Sequence, residues 1–454
     1  MRPCKGSYNP SPLQGEVLKI LMRDGISNAY IGMETSGRGT PRFSHRVPVG
    51  EPNPIIAAQD AAKTVGHSLY QLNDSNPTHH GLTLKDMPLC YDAEPRGQGF
   101  ARQALAEFLT HRARNQGFDL PVPACVPTPH GAAASMVSML ASESIDSDDL
   151  YLVSSTSEAY SWLMKLLCDP GEAVLCPTPG YPLIPSISAL ESVKAVPYPL
   201  RYDGSWYIDV DWIARILKER DDIRALILIN PNNPTGSYAG RDDYERLVEL
   251  CAEHRLAVIA DEVFFDFALE PTHVPFRVAG EKRVLTFGLD GFSKLLAAPH
   301  AKIGWIQMSG PDEAMAEAKK RLDVISDDYL PMSSILAERL PSLLERVPDQ
   351  LRRTRERTVG NLRILKDLLA CSRSGVTTLL RPEGGWNVLL RFPGSLDENE
   401  LVDAMIHEQG MTAQPGYFFD MPTNGYVCAS LLPRPADFRK GISALLDVVD
   451  GFFE

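Results

Sequence analysis

Two rhythms of hydrophobic and polar positions alternate along the chain. Short continuous apolar runs that close on polar or turn-forming residues are interleaved with stretches in which apolar residues recur every three or four positions. Ala225 to Gly236, ALILINPNNPTG, is an apolar run ending in an Asn/Pro/Gly turn, and Leu256 to Phe267, LAVIADEVFFDF, is a second, closing on Asp261-Glu262. Runs without a polar alternate face are expected of parallel strands covered on both sides. Asp243 to Glu253 lies between them and reads as the crossover helix. Tyr151 to Gly171, YLVSSTSEAYSWLMKLLCDPG, predicts a strand, a run of small hydroxyl residues and a helix stopped at Asp-Pro-Gly. A further apolar run, TFGLDGFSKLLAAPHAKIGW from Thr286 to Trp305, delivers Ser293-Lys294 and stops at a Pro-containing turn. Strand, helix, strand succession predicts an α/β fold, a mostly parallel sheet with right-handed crossovers and flanking helices.

Beyond about Asp312 the pattern turns helical to Glu345. A long helix from Pro348, short strands around Trp386 to Phe392 and a last helix from Asp437 predict a smaller α+β domain. At 454 residues the chain exceeds one compact core, so the expected division is an N-terminal extension and arm over 1–70, a large domain over 71–330 and a small C-terminal domain over 331–454. The extension is rich in Gly, Pro, Ser and Arg, with helical spacing at Leu13 to Arg23 and again from Pro52 to Tyr70. Clustered prolines in PVPACVPTPHG, within 117–147, favour extended backbone and forbid a regular helix there.

Composition narrows the partners. A net charge of -13 argues against nucleic-acid or anionic-membrane surfaces. No stretch approaches the roughly 20 apolar residues of a membrane span, and MRPCKGSYNP has no signal-peptide core. Eight cysteines form no C-x-x-C pair, and the His79-His80 pair has no third ligand at metal spacing, so free thiols, no metal site and a cytoplasmic setting are expected.

The chemistry concentrates at strand ends, where open α/β sheets bind ligands. Lys294 stands among Phe292, Leu295 and Leu296, where desolvation favours the neutral amine and a nucleophile toward carbonyls. Ser155, Thr156 and Ser157 open a helix, and hydroxyls with unpaired N–H groups at a helix N-terminus suit an anion such as phosphate.

NPNNPTG, then DEVFFDF, then SK, with Lys302 eight residues after Lys294, together resemble the pyridoxal phosphate (PLP) enzymes of the aspartate aminotransferase superfamily, fold type I, from about Leu72 to the end. The resemblance implies that Lys294 forms the Schiff base with PLP and shuttles the substrate Cα proton. It implies that Asp261 partners the pyridine nitrogen, Asn233 the ring O3′ and Tyr181 the ring face. Ser155 to Ser157 match the phosphate cup. Asn76, in an L-x-x-x-N-P loop, matches a substrate contact. Tyr91 matches the tyrosine that reaches the neighbouring subunit's cofactor phosphate, which implies a homodimer with shared active sites. The family usually joins the flanking elements more briefly, which implies an insertion over about 117–147. Three positions depart from the family pattern. Lys302 replaces a phosphate-clamping arginine, Phe264 replaces a tyrosine on O3′, and Cys428 replaces the arginine for the substrate carboxylate. Arg434, with Arg391 and Arg96 behind it, is the expected substitute. The implied activity is amino transfer between an amino acid and a 2-oxo acid. A PLP-dependent lyase or cyclase, or a non-catalytic PLP-binding regulatory module, is the alternative on the same scaffold.

Overall fold

The computed structural model describes residues 40–49, 54–66, 72, 76–80, 82, 84, 87, 88, 90–114 and 144–453. The Leu13 to Arg23 helix, most of the 1–70 extension and most of the 117–147 insertion fall outside these residues.

Strands β1 (Leu150–Val153), β2 (Ala173–Thr178), β3 (Lys194–Tyr202), β4 (Trp206–Ile208), β5 (Ile223–Ile229), β6 (Ala257–Asp261), β7 (Thr286–Gly291) and β8 (Gly304–Ser309) build one sheet in the order β1-β8-β7-β6-β5-β2-β3-β4. The interior strands β3, β2, β5, β6 and β7 run parallel, as the unbroken apolar runs predict. β8 runs antiparallel to both β7 and β1, and β4 folds back on β3. The β8 reversal has a local cause. Only residues 292–303 separate β7 from β8, and that segment contains the Pro299–Ala301 turn and Lys302 in the left-handed region at φ 51°, too short and too bent for a parallel crossover.

Helices α1 (Pro54–Thr64) and α2 (Gly99–Arg114) precede the sheet; α3 (Thr156–Leu167), α4 (Leu183–Leu190), α5 (Val210–Glu219) and α6 (Arg241–Glu253) connect its strands. α3 shows how the sequence sets an element. Ser155 caps it by accepting from Glu158 N, and Ala159, Tyr160, Leu163, Met164 and Leu167 recur at helical spacing on the buried side. Each large side chain buried there contributes about 1.5–3 kcal/mol of transfer free energy. This α3 face meets Ala257, Ile259, Phe287 and Leu289 on one side of the sheet, while α5 and α6 cover Leu226, Leu228, Val258 and Ala260 on the other.

After β7 comes a single helical turn, α7 (Phe292–Leu295), and after β8 come α8 (Asp312–Tyr329) and α9 (Ser334–Leu344). The expected continuous helical stretch is thus broken at Leu330, whose φ of 64° ends α8. α10 (Val347–Ala370), β9 (Thr378–Leu379), β10 (Asn387–Arg391), α11 (Glu398–Gln409), β11 (Gln414–Pro415), β12 (Tyr426–Ser430) and α12 (Pro435–Phe453) follow. They form a second, antiparallel sheet in the order β11-β12-β10-β9 with its own core, including Leu365, Val388, Leu390, Leu401 and Leu445.

Candidate active site

Asn233, Asp261 and Lys294 lie at or just past the ends of β5, β6 and β7. Strand alternation decides which way each carboxylate points. Asp261 shares parity with Ala257 and Ile259, hence the α3 face, and Tyr160 of α3 donates its hydroxyl to Asp261 Oδ2 at 2.9 Å. The other oxygen accepts only a long bond from Val263 N, 3.3 Å. Burial pushes the Asp261 carboxyl up to about 6; Tyr160 and Val263 pull it down, the Asp290 charge adds to the rise and Lys294 opposes it. Tyr181, just ahead of α4, lies close enough for the Asp261 charge to add to the effect of burial in raising its phenol.

On the next strand, the turn after β7 carries Lys294. Its Nζ stands 5.3 Å from the ring centres of both Phe264 and Trp386. Burial lowers its pKa, against a smaller opposing pull from Asp261. No carboxylate pairs with Nζ among the described residues. The walls are aromatic: Phe264, Phe267 and Trp386 meet edge to face at 5.5 and 5.0 Å from Trp386, with Leu351 of α10 behind them. Phe264, expected as a departure from a hydroxyl-bearing tyrosine, is therefore a packing residue beneath the amine.

β5 runs into the NPNNPTG loop, and Asn230 N donates to the Asp261 carbonyl at 2.8 Å. Asn387 Nδ2, from the start of β10, donates to Asn233 Oδ1 at 2.8 Å. That bond orients the Asn233 amide and leaves its Nδ2 as a donor without a partner among the described residues. The helix start at Ser155, Thr156 and Ser157 lies against the beginning of β8. A Cβ on Gly304 would stand 3.4 Å from Thr156 N, so the two segments pack closely there. Lys302, two residues earlier, is exposed.

Other expected residues lie elsewhere in the chain. Asn76 is spent on a local turn, accepting from Thr78 N and donating to the Tyr91 carbonyl at 2.8 Å. Tyr91 is 38 % exposed, and its phenol is raised by burial and then by Asp327. No described contact joins either to Lys294. Cys428 is buried in β12 opposite Leu389, a core position that pushes its thiol up to about 12. Arg434 stands between β12 and α12. Its side chain is 81 % exposed and pairs with Asp437 at 2.8 Å, because it precedes α12 and its first-turn acid. Arg96 is committed to Asp323 at 2.6 and 2.5 Å, and Arg391 is exposed.

Three residues escaped the sequence reading: Tyr160, Trp386 and Asn387. A hydroxyl-bearing aromatic on the otherwise apolar stripe of STSEAYSWLMKLL was a usable signal for Tyr160. Trp386 and Asn387 arrive from the second sheet, about a hundred positions along the chain, and local pattern carries no trace of that contact. Together these residues offer a buried carboxylate lacking a cationic partner among the described residues, an amide N–H, a hydroxyl-rich helix N-terminus for a dianion, and a desolvated amine.

Comparison with known proteins adds independent findings. The family described as Aminotransferase class I and II matches residues 123–439. A tyrosine aminotransferase of Caenorhabditis elegans is 25% identical over 280 residues, 61% of this chain and 59% of that protein. An alanine aminotransferase of Mycobacterium tuberculosis is 28% identical over 252 residues, 55% of this chain and 53% of that protein. The chain thus spans a little over half the length of these curated relatives. Among solved structures, an alanine aminotransferase from Pyrococcus furiosus superposes with a TM-score of 0.64 at 20% identity, covering 87% of this chain and 86% of the other. At that identity the likeness is one of fold, the fold type I arrangement of a large mostly parallel sheet with a smaller antiparallel one.

Proposed function

The chain belongs to the class I and II aminotransferase family, whose members use pyridoxal phosphate, and from that premise we propose that it transfers an amino group between an amino acid and a 2-oxo acid. The observation that carries this is the setting of Lys294, a desolvated amine 5.3 Å from two aromatic rings and beside the buried Asp261.

The residues present fit the cofactor. Bound PLP supplies an electron sink for a carbanion next to nitrogen. Asp261, held by Tyr160, answers a protonated ring nitrogen, and a buried carboxylate with no cation of its own gains most from one. Asn233, oriented by Asn387, presents Nδ2 to a phenolate oxygen. Ser155, Thr156, Ser157 and the α3 N-terminus take the phosphate, with Lys302 adding a point charge. Tyr181 supplies a flat face. Lys294, with its amine biased toward the neutral form, takes a proton from the substrate Cα and returns it to the opposite end of the reacting system. Phe264 and Trp386 exclude water from that transfer.

The same proposal covers the assembly and layout. The exposed Tyr91 and Phe100 favour a homodimer in which Tyr91 serves the neighbouring site. The two separate sheets support a large domain over 71–330 and a small one over 331–454, with Leu340 and Leu344 of α9 packed on Leu105 and Leu150 of the large one. Free thiols, four of them buried, favour the cytoplasm; among the described residues no helix is long and apolar enough to cross a membrane. The test is product analysis. Purified protein with PLP, a panel of amino acids and a 2-oxo acid acceptor should form one new amino acid per donor consumed. Release of ammonia in place of that product would show elimination and overturn the transfer.

A further inference from the structure

Directly behind the site, five charged side chains form a line of alternating sign. Glu262 faces away from Asp261 by strand alternation and pairs with Arg277 Nη1 at 3.2 Å. Arg277 Nη2 also reaches Asp266 at 2.8 Å. Asp266 and Asp290 share Arg112 Nη1, at 3.4 and 2.9 Å. All three carboxylates are at most 4% exposed, and so is Arg112. Arg277 stacks on Phe265 at 4.1 Å, and Arg355 of α10 adds a third cation, its Nε donating to the Asp266 carbonyl at 2.5 Å. A cavity of about 40 Å³ beside Arg112, Glu262, Arg277 and Asp290 has room for about one water, so these charges are compensated mainly by one another.

The two ends of the line are the neighbours of the site. Glu262 follows Asp261 immediately, and its Oε1 accepts from Val278 N at 2.5 Å. Asp290 lies four residues before Lys294, and its Oδ1 accepts from Gly291 N at 2.7 Å. β6 and β7 are registered Asp261 to Leu289, so Glu262 and Asp290 are lateral neighbours, two like charges that repel unless cations stand between them. We propose that Arg277 is a positioning residue for the active site: with Arg112 it ties the strand end bearing Asp261 to the strand end bearing Lys294 and balances the carboxylates behind Asp261. The groups that act on Asp261 are Tyr160 from α3, Tyr181 ahead of α4 and Lys294 from α7 on its own side, and Asp290 of β7 through the sheet. Of these only Asp290 belongs to the line. Its charge already opposes ionisation of Asp261, so losing Arg277, which frees Glu262 and removes positive charge near Asp290, strengthens that opposition.

This rests on the proposal that Asp261 holds the PLP ring nitrogen, and the experiment separates the two. In the full-length protein, PLP dissociation constants are measured by fluorescence across pH 5–8 for wild type, Arg277→Met, Arg277→Met/Glu262→Gln and Arg277→Lys, with melting temperatures alongside. Arg277→Met should bind PLP about tenfold more weakly at pH 7, the coupling expected inside one ion-pair network, and should lose it at a higher pH than wild type does. The double variant removes the matching charge and should regain the wild-type pH midpoint. Arg277→Lys keeps the charge without the two-pronged bridge. It should keep the midpoint even if Arg277→Met does not fold, and a shifted midpoint in it overturns the proposal. Variants that melt earlier but bind PLP with the wild-type pH profile would make the line structural only, which also overturns it. A wild-type protein that fails to take up PLP would sink the cofactor proposal instead.

Discussion

Asp261 and Glu262 are adjacent in sequence, equally buried and on opposite faces of one strand, yet the protein treats their charges in opposite ways. Glu262 faces a closed line of ion pairs in which its oxygens meet Arg277 and Val278 N. Asp261 faces Tyr160, a long contact from Val263 and no cation that pairs with it among the described residues. Lys294, across the same cleft, is equally unmatched. Buried charge without a partner is costly, and proteins retain it where something else completes it. The paired face is therefore support, and the half-paired face is where a ligand belongs.

The comparison is broken most severely at the amine. Lys294→Ala removes the proton-transfer group, and turnover should fall by about 10²- to 10⁴-fold or more, measured as amino acid product at saturating PLP. A Glu262→Gln change on the paired face should leave measurable turnover.

Asp261→Asn comes next. It exchanges a charge-assisted contact worth about 1.5–3 kcal/mol for a neutral one, so PLP affinity should fall roughly tenfold to a hundredfold. The apoprotein should respond with the opposite sign. The folded-state pKa of Asp261, about 6, lies above the ordinary 3.8, so the folded form binds the extra proton between those values. Ionising the buried acid then costs stability as pH rises from about 4, and the full cost is present above about 6. Apo Asp261→Asn should be more stable than apo wild type at pH 8 by about 3 kcal/mol, an advantage that vanishes near pH 4, as denaturant titrations would show.

Much of this was legible in the chain because the relevant signals are local. Unbroken apolar runs announced β5, β6 and β7, and the polar residues closing each run placed Asn233, Asp261 and Lys294 at strand ends. Strand reversal at β8 was not legible, since it depends on a short turn and the left-handed Lys302. Trp386 and Asn387 were missed for a different reason: their roles arise from packing of the second sheet against the first. The pairing of Arg434 with Asp437 at the start of α12 has no signal in its nearness to Cys428.

Smaller effects sharpen the contrast. Lys302→Ala should weaken PLP binding about tenfold at low salt and less at high salt, as expected of an exposed cation opposite a phosphate, while Lys302→Arg should largely preserve it. Arg434→Ala should change the Michaelis constant by less than about twofold, since its pair with Asp437 is solvent-exposed. A large rise in that constant would return Arg434 to the substrate site.

The central claim is that the unmatched amine of Lys294 is the group that meets the cofactor's carbonyl. Reduction of the PLP-loaded protein with borohydride, followed by peptide mapping, tests it directly. The pyridoxyl group should be found on the peptide containing Phe292-Ser293-Lys294; recovery on Lys302 or another lysine, or no covalent label at all, would contradict it.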